Sequence, residues 1–246
     1  MKPDIAVVLA AGNSNRMGGS LPKQFLELGG KTILEHAVDA FEANGNIHGI
    51  AIVSHPAWLE ETERIATRNR WQKLQKILPG GKERHHSSLS AIDAYRSEEV
   101  NLIFHDAARP LVSRRIIDEV ASALLHHQAV DVAIPCTDTV LQVKDGFIEH
   151  VPDRRTLMRS QTPQAFDAGL IAKAYDLALR DKDFSCTDDC GVLLRYLPGT
   201  PVFIVQGDER NLKLTRPQDL KLLEILLNGQ TEDLGLPSGN GTGRSA

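Results

Sequence analysis

The chain reads as an α/β protein: a Rossmann-like, mostly parallel sheet with helices on both faces and a protruding β-hairpin arm. Three observations predict this. Short apolar runs at 5–9, 50–53, 74–78, 101–105 and 130–135 alternate with segments of helical period. Several runs stop at small-residue or charged loops, Ala10-Ala11-Gly12, Pro79-Gly80-Gly81 and Asp106-Ala107-Ala108-Arg109, as strands do where a ligand rim forms at their carboxyl ends. The rhythm breaks after Pro135, where Asp145-Gly146 separates alternating runs at 140–143 and 147–150, a strong hairpin signal.

Each element has its own signal. The run at 5–9 is a buried strand that feeds a loop at 10–24. Residues 32–41 place Ile33, Leu34, Ala37, Val38 and Phe41 on one helical face, and Asn44-Gly45 ends that helix. A strand at 50–53, a helix over 58–69 with a charged outer face, and a strand at 74–78 follow. The next helix is expected at about 87–95, just past the glycine pair. After the strand at 101–105, Ser113 can cap a helix running to about His127, and 130–135 is a fifth strand. A lone hairpin is marginally stable, so the arm at about 137–156 is expected to pack on something, for which a second subunit is a candidate. Helices over 167–180 and from Thr187, a strand at 202–205 and a helix over 217–228 complete the series. Pro217 suits a first helical position, and Asn228-Gly229 suits a helix end. Residues 1–229 are thus expected to form a single domain, and 230–246 a disordered tail with too little apolar material to fold.

Composition narrows the function. At 246 residues, 41% hydrophobic and 24% charged, the chain can bury a full globular core. A net charge of -4 gives no reason to expect nucleic acid or an anionic membrane as partner. No apolar run approaches the ~20 residues of a spanning helix. Met1-Lys2-Pro3-Asp4 leads into a strand rather than a signal sequence, so a cytoplasmic location is expected. Cys136, Cys186 and Cys190 agree, since an odd count at irregular spacing is a poor disulfide framework.

The chemistry gathers at the strand ends. Ala10, Ala11 and Gly12 let backbone N–H groups approach anionic oxygens, while Arg16 and Lys23 supply charge. The loop is neither a dinucleotide fingerprint, which needs glycine where Ser14 stands, nor a Walker loop, which needs Lys-Ser or Lys-Thr where Gly19-Ser20 stands. Gly81 can let a flat base lie against the backbone, with Ser87 adding a hydroxyl. Asp106 ends a strand where a carboxylate can hold Mg2+ across phosphate oxygens; capping a helix or pairing with Arg109 is the lesser alternative for it. Lys213 lies beside the same rim. No Gly-x-Ser-x-Gly elbow or readable triad accompanies them, and phosphoryl or nucleotidyl transfer needs no protein nucleophile. These residues predict a nucleoside triphosphate cradle that supports in-line attack by a substrate oxygen.

Six segments in order carry a resemblance: Ala10-Ala11-Gly12 through Arg16-Met17-Gly18; Pro22-Lys23-Gln24-Phe25; Gly80-Gly81-Lys82-Glu83-Arg84; His105 through Pro110; Gln161-Thr162-Pro163-Gln164; and Asn211 through Pro217. Over about residues 5–228 the chain resembles the cytidylyltransferases acting on 2-C-methyl-D-erythritol 4-phosphate, and also the related enzymes that activate ribitol 5-phosphate. The resemblance implies a nucleotide-diphospho-sugar-transferase-like fold. It implies that Arg16, Lys23 and Lys213 surround the triphosphate of CTP and stabilise the five-coordinate α-phosphorus. Ala10, Ala11, Gly12, Gly81 and Ser87 would recognise the cytosine end, and Asp106 would assist Mg2+. A small phosphorylated polyol would meet Arg109, Thr139 and Arg154. The arm would be exchanged in a homodimer, so that Thr139 and Arg154 act on the partner's site.

Some positions depart from that pattern. His85-His86 precede Ser87 where an acidic residue is common, Leu157 stands where an aromatic is frequent, and Arg210 occupies a place that is acidic in some members, leaving Asp208 or Glu209 as substitutes. Ala10-Ala11-Gly12 and Asp106-Ala107-Ala108-Arg109 favour methylerythritol phosphate as acceptor, whereas Arg159-Ser160-Gln161 and Thr187 through Gly191 lean to ribitol phosphate. The first acceptor is expected, with the second as alternative. A nucleotide-binding module without turnover is the reading from another class, and intact Arg16, Lys23, Asp106 and Lys213 argue against it.

Overall fold

The computed structural model describes residues 1–12 and 21–229; Arg16 and the expected tail at 230–246 lie outside them. The chain opens with β1 (Asp4–Ala10), whose seven residues are all buried. Its side chains alternate between two cores: Ala6, Val8 and Ala10 pack on one face of the sheet, Ile5, Val7 and Leu9 on the other. A strand covered on both faces reads as an unbroken apolar run, as this one does.

After the loop, a single 3-10 turn (Lys23–Phe25) leads to a small ribbon of β2 (Glu27–Leu28) and β3 (Lys31–Thr32). Helix α1 (Ile33–Glu42) starts where the Thr32 hydroxyl accepts from the Glu35 amide while the Glu35 carboxylate accepts from Thr32 N–H, a reciprocal capping box. Its predicted apolar face is the buried one: Ile33, Leu34, Ala37, Val38 and Phe41 are all fully covered. Truncating Phe41 to alanine there would cost about 3–5 kcal/mol.

The units β4 (Gly49–Ser54), α2 (Leu59–Asn69), β5 (Leu74–Pro79), α3 (Arg84–Ala94), β6 (Asn101–Asp106), α4 (Arg114–Leu124) and β7 (Ala129–Pro135) follow in the predicted order. Helix α3 begins three residues earlier than expected, so Ser87 sits one turn inside it rather than at its start. Helix α4 is capped by the Ser113 hydroxyl as predicted, and ends at Leu124, short of His127. The arm is β8 (Gln142–Lys144) and β9 (Phe147–His150), antiparallel, with Asp145 and Gly146 at φ values of 50° and 83° as a tight hairpin turn requires. Every residue of both strands is exposed.

The sequence reading missed β10 (Met158–Asp167). Among the described residues seven strands form one sheet in the order β11-β7-β10-β6-β1-β4-β5, with β11 at Phe203–Gln206. β10 runs antiparallel to both neighbours, while the other pairs are parallel. Pro163 concealed it, because proline inside an apparent central strand argues against that assignment. The pairing register with β7 shifts between Ser160 and Gln164, so the proline occupies an irregularity that needs no ladder N–H. Helices α5 (Ala168–Ala178), α6 (Asp189–Tyr196) and α7 (Pro217–Leu227) complete the fold. Asp167 and Asp188 cap α5 and α6. No helix among the described residues is long and apolar enough to cross a membrane.

Candidate active site

The carboxyl ends of β1 and β6, the loop after β5 and the segment before α7 enclose a cleft of about 160 Å³. It brings together Ala11, Gly12, Lys23, Gly81, Ser87, Asp106 and Lys213, all anticipated from sequence. Close backbone approach shapes its wall. A Cβ on Gly80 would lie 2.3 Å from the Ala11 Cβ and 2.8 Å from Ser87 Oγ, and one on Gly81 would meet the His86 Cβ at 2.3 Å. Glycine at 80 therefore lets the first loop and the start of α3 touch, and glycine at 81 leaves room for His86 of α3 as well as for any base lying on it.

The walls carry Lys23, Lys82, Arg84 and Lys213 against Glu83 and Asp106, so the cleft attracts anions. Asp106 is the electrostatic centre. Its carboxylate meets Lys213 Nζ at 2.6 Å and Arg84 Nε at 3.5 Å. Burial alone would raise its pKa, but Arg84 and Lys213 together hold it below the usual carboxylate range. Arg84 also donates to Asp189 at 2.6 Å, and the Asp189 side chain is fully buried and accepts from the Tyr175 hydroxyl at 2.6 Å. Burial opposes the Arg84 charge, yet Asp189 and then Asp106 raise its pKa further.

Arg84 and Asp189 were not assigned roles from sequence. Arg84 stands in the Gly80-Gly81 motif, but its reach to two carboxylates on different elements, β6 and α6, appears only in three dimensions. Asp188 caps α6 by accepting from the Gly191 amide, and Asp189, in the first turn of that helix, has its side chain buried.

The β10 irregularity organises the surroundings. The Gln164 carbonyl accepts from Asp189 N–H at 3.1 Å, and its amide donates to Asp188 at 2.9 Å and Asp131 at 3.1 Å. Burial, reinforced by Asp188 and resisted by Gln164 and Ser160, raises the Asp131 pKa to about 6. Gln161 donates to the Asp208 carbonyl and accepts from Asn211, whose amide also reaches the Thr162 carbonyl, fixing the segment before Lys213. Thr162 Oγ1 accepts from Asp106 N–H at 3.1 Å and lies 3.1 Å from His105 Nδ1, while His105 Nε2 faces the Arg109 carbonyl at 3.0 Å. Burial lowers the His105 pKa to about 4, so the ring is neutral and braces the Asp106–Arg109 turn from both nitrogens.

Other expected residues lie elsewhere. Ala10 is buried beneath the cleft and does not line it; the next two residues do. Arg109 also stays off the lining, because its guanidinium is folded down to donate to the Asn211 carbonyl at 2.7 Å. Its Nε is buried with no hydrogen-bond partner among the described residues. Thr139 and Arg154 are exposed at the base of the arm, where Arg154 donates to the Thr137 carbonyl at 3.3 Å; neither lines the cleft of its own chain. Glu209 is engaged by Arg159, and Asp208 accepts from the Arg210 amide, so neither supplements Asp106 in the cleft. A single buried carboxylate suits a Mg2+ ion that takes its remaining ligands from water and nucleotide phosphates, and does not suit a cage built by protein alone. The described residues contain no group of three acidic, histidine or cysteine side chains able to hold a metal.

Among the described lining residues Ser87 carries the only hydroxyl, and neither histidine nor cysteine is present. A mostly parallel sheet whose strand ends set cations around one carboxylate, without a paired nucleophile, defines an α/β protein of the nucleotidyltransferase kind. The comparisons agree and are narrower. The chain belongs to the 2-C-methyl-D-erythritol 4-phosphate cytidylyltransferase family, whose model matches residues 5–229. It is 47% identical over 229 residues to the 2-C-methyl-D-erythritol 4-phosphate cytidylyltransferase of Thermobifida fusca, covering 90% of this chain and 92% of that one. It is 41% identical over 232 residues to the bifunctional ribulose 5-phosphate reductase/CDP-ribitol pyrophosphorylase Bcs1 of Haemophilus influenzae, covering 93% of this chain but 49% of that one. The crystal structure of 4-diphosphocytidyl-2C-methyl-D-erythritol synthase from Anaerococcus prevotii is similar at a TM-score of 0.81 and 26% identity, covering 92% of this chain and 96% of that one.

Proposed function

We propose that this chain transfers CMP from CTP to 2-C-methyl-D-erythritol 4-phosphate, and that the cleft around Asp106 is where it does so. An oxygen of the acceptor's phosphate attacks the α-phosphorus of CTP, a new phosphorus–oxygen bond forms, the bond to the β-phosphate bridging oxygen breaks, and pyrophosphate leaves. The observation that carries this reading is the buried Asp106 carboxylate flanked by Lys213 and Arg84, in a cleft that Lys23 also lines.

The residues divide the work. Ala11, Gly12, Gly81 and Ser87 hold the cytosine end, with Ala10 as the base of that loop. Lys23, Lys213 and Arg16 stabilise the charge that grows on the α-phosphate oxygens as the phosphorus becomes five-coordinate. Asp106 would hold Mg2+, which would supply further neutralisation of the triphosphate. Arg84 keeps Asp106 in place through its second contact, to Asp189. Arg109, Thr139 and Arg154 bind the acceptor, with Thr139 and Arg154 supplied by the partner subunit of a homodimer joined through the arms. Two features support the dimer: these two residues stand away from their own cleft, and the arm exposes Val143, Phe147 and Ile148 at 57%, 79% and 61%. Residues 1–229 act as one catalytic domain in the cytoplasm.

The test is pyrophosphate release with CTP and Mg2+, supplying methylerythritol phosphate or ribitol phosphate separately. Release with the first acceptor is expected. A strong preference for ribitol phosphate would transfer the reading to CDP-ribitol synthesis, the activity named for one half-matched relative. No release with either would leave only a nucleotide-binding module.

A further inference from the structure

The single 3-10 turn after the phosphate loop is anchored in three directions by three consecutive side chains. Lys23 Nζ donates to the Leu214 carbonyl at 2.8 Å. The Phe25 ring stacks on Trp58 with centroids 5.1 Å apart. Between them, Gln24 turns inward, is 2% exposed, and donates its amide to the Ala10 carbonyl at 2.6 Å. Ala10 is the last residue of β1, where the loop leaves the sheet, and Gln24 lies where the chain returns. The hydrogen bond therefore ties the outgoing and returning ends of the 10–24 segment together at the sheet. A 3-10 turn of three residues has little rigidity of its own, so the direction in which Lys23 projects depends on what holds its neighbours.

We propose that Gln24 is a positioning residue for Lys23: its buried amide, bonded to the Ala10 carbonyl, fixes the turn so that the Lys23 ammonium is held at the cleft. The assignment rests on the reading that Lys23 acts on the triphosphate. Gln24 itself does not line the cleft, so its influence passes through its neighbour. Methionine at this position keeps similar length and apolar packing but lacks a donor. The released turn then misplaces Lys23, and a displacement on the order of 1 Å in a positioned charge costs about 100-fold in rate.

The experiment is a double-mutant cycle on the full chain with Gln24→Met, Lys23→Ala and the double variant, measuring pyrophosphate release with CTP, Mg2+ and methylerythritol phosphate. Circular dichroism and thermal midpoints are recorded alongside. Gln24→Met is expected to lower kcat by about 10- to 100-fold in the wild-type background, and by less than about 3-fold when Lys23 is already alanine. A merely structural role for Gln24 would give the same factor in both backgrounds, and that additive outcome overturns the proposal, as does full activity in Gln24→Met. Wild-type turnover in Lys23→Ala is a separate result: it overturns the role given to Lys23, and this proposal with it. Should Gln24→Met not accumulate as folded protein, Gln24→Asn, one methylene too short to reach the Ala10 carbonyl, carries the same comparison.

Discussion

Replacing Arg84 with methionine would leave the fully buried Asp189 carboxylate facing its former partner's place with the Tyr175 hydroxyl as its remaining side-chain partner. Removing one member of a buried ion pair costs about 3–5 kcal/mol, because the other charge stays desolvated. Against a total stability of about 5–15 kcal/mol for a domain, that is about a fifth or more of what holds the chain folded. Asp189→Leu should cost less than this, since the orphaned Arg84 keeps Asp106 as a second counter-charge. The double replacement, Arg84→Met with Asp189→Leu, removes both charges and should recover most of the lost stability. It should not recover turnover, because Asp106 has then lost the brace that reaches across from α6. Urea unfolding of the three variants with the wild type gives the stability cycle, and pyrophosphate release gives the activity. Two results would refute the reasoning: a cost below about 1 kcal/mol for Arg84→Met, which is surface-pair scale, or a double variant as unstable as the sum of the singles.

Lys23→Ala should lower turnover by roughly 100- to 1,000-fold with the fold intact, the scale of losing one preorganised group at the reacting centre; steady-state kinetics and circular dichroism check this together. Mixing Lys23→Ala with Arg154→Ala subunits, each inactive alone, should restore about a quarter of wild-type activity, because half the dimers are mixed and each mixed dimer has one complete site; no restoration would place both residues in the same subunit's site. Phe147→Glu with Ile148→Glu should shift the protein to monomer by analytical ultracentrifugation and remove activity. Glu35 is tested by stability against pH. Burial would raise its pKa, but the Thr32 amide, Asn69 and Arg68 lower it to about 2. A depressed carboxylate stabilises above its unfolded value and loses that contribution as pH falls toward the folded value, so Glu35→Gln should cost on the order of 3 kcal/mol at pH 7 and little near pH 2. Equal destabilisation at both pH values in denaturant melts would show that packing, not charge, is at stake.

The legible and illegible parts of this chain differ in kind. Strands covered on both faces announce themselves as apolar runs, which is why β1, β4, β6 and β7 were readable, and Asp145-Gly146 between two alternating runs marked the hairpin, where both residues take the positive φ values of a tight turn. β10 was hidden because its proline breaks the local rule that the sheet elsewhere obeys. With it went the reason for the Gln161-Thr162-Pro163-Gln164 motif, whose side chains serve β6, α6 and the segment before Lys213. Asp106 could be found because charge at a strand end is a local signal, and Lys23 and Lys213 because they stand in loops that follow strands. Arg84 and Asp189 could not, since they lie 105 residues apart and each sits inside a helix start that explains it well enough alone.

The exposed arm has a consequence for how such a chain can change. None of its strand residues contributes to the cores that stabilise the sheet, so substitutions there leave the folding of one subunit untouched. The acceptor would be met by residues at the base of this hairpin, while the nucleotide would be met by residues embedded in the fold. Grafting a different hairpin onto the same sheet is thus a practical route to a new acceptor, with thermal stability of the subunit preserved.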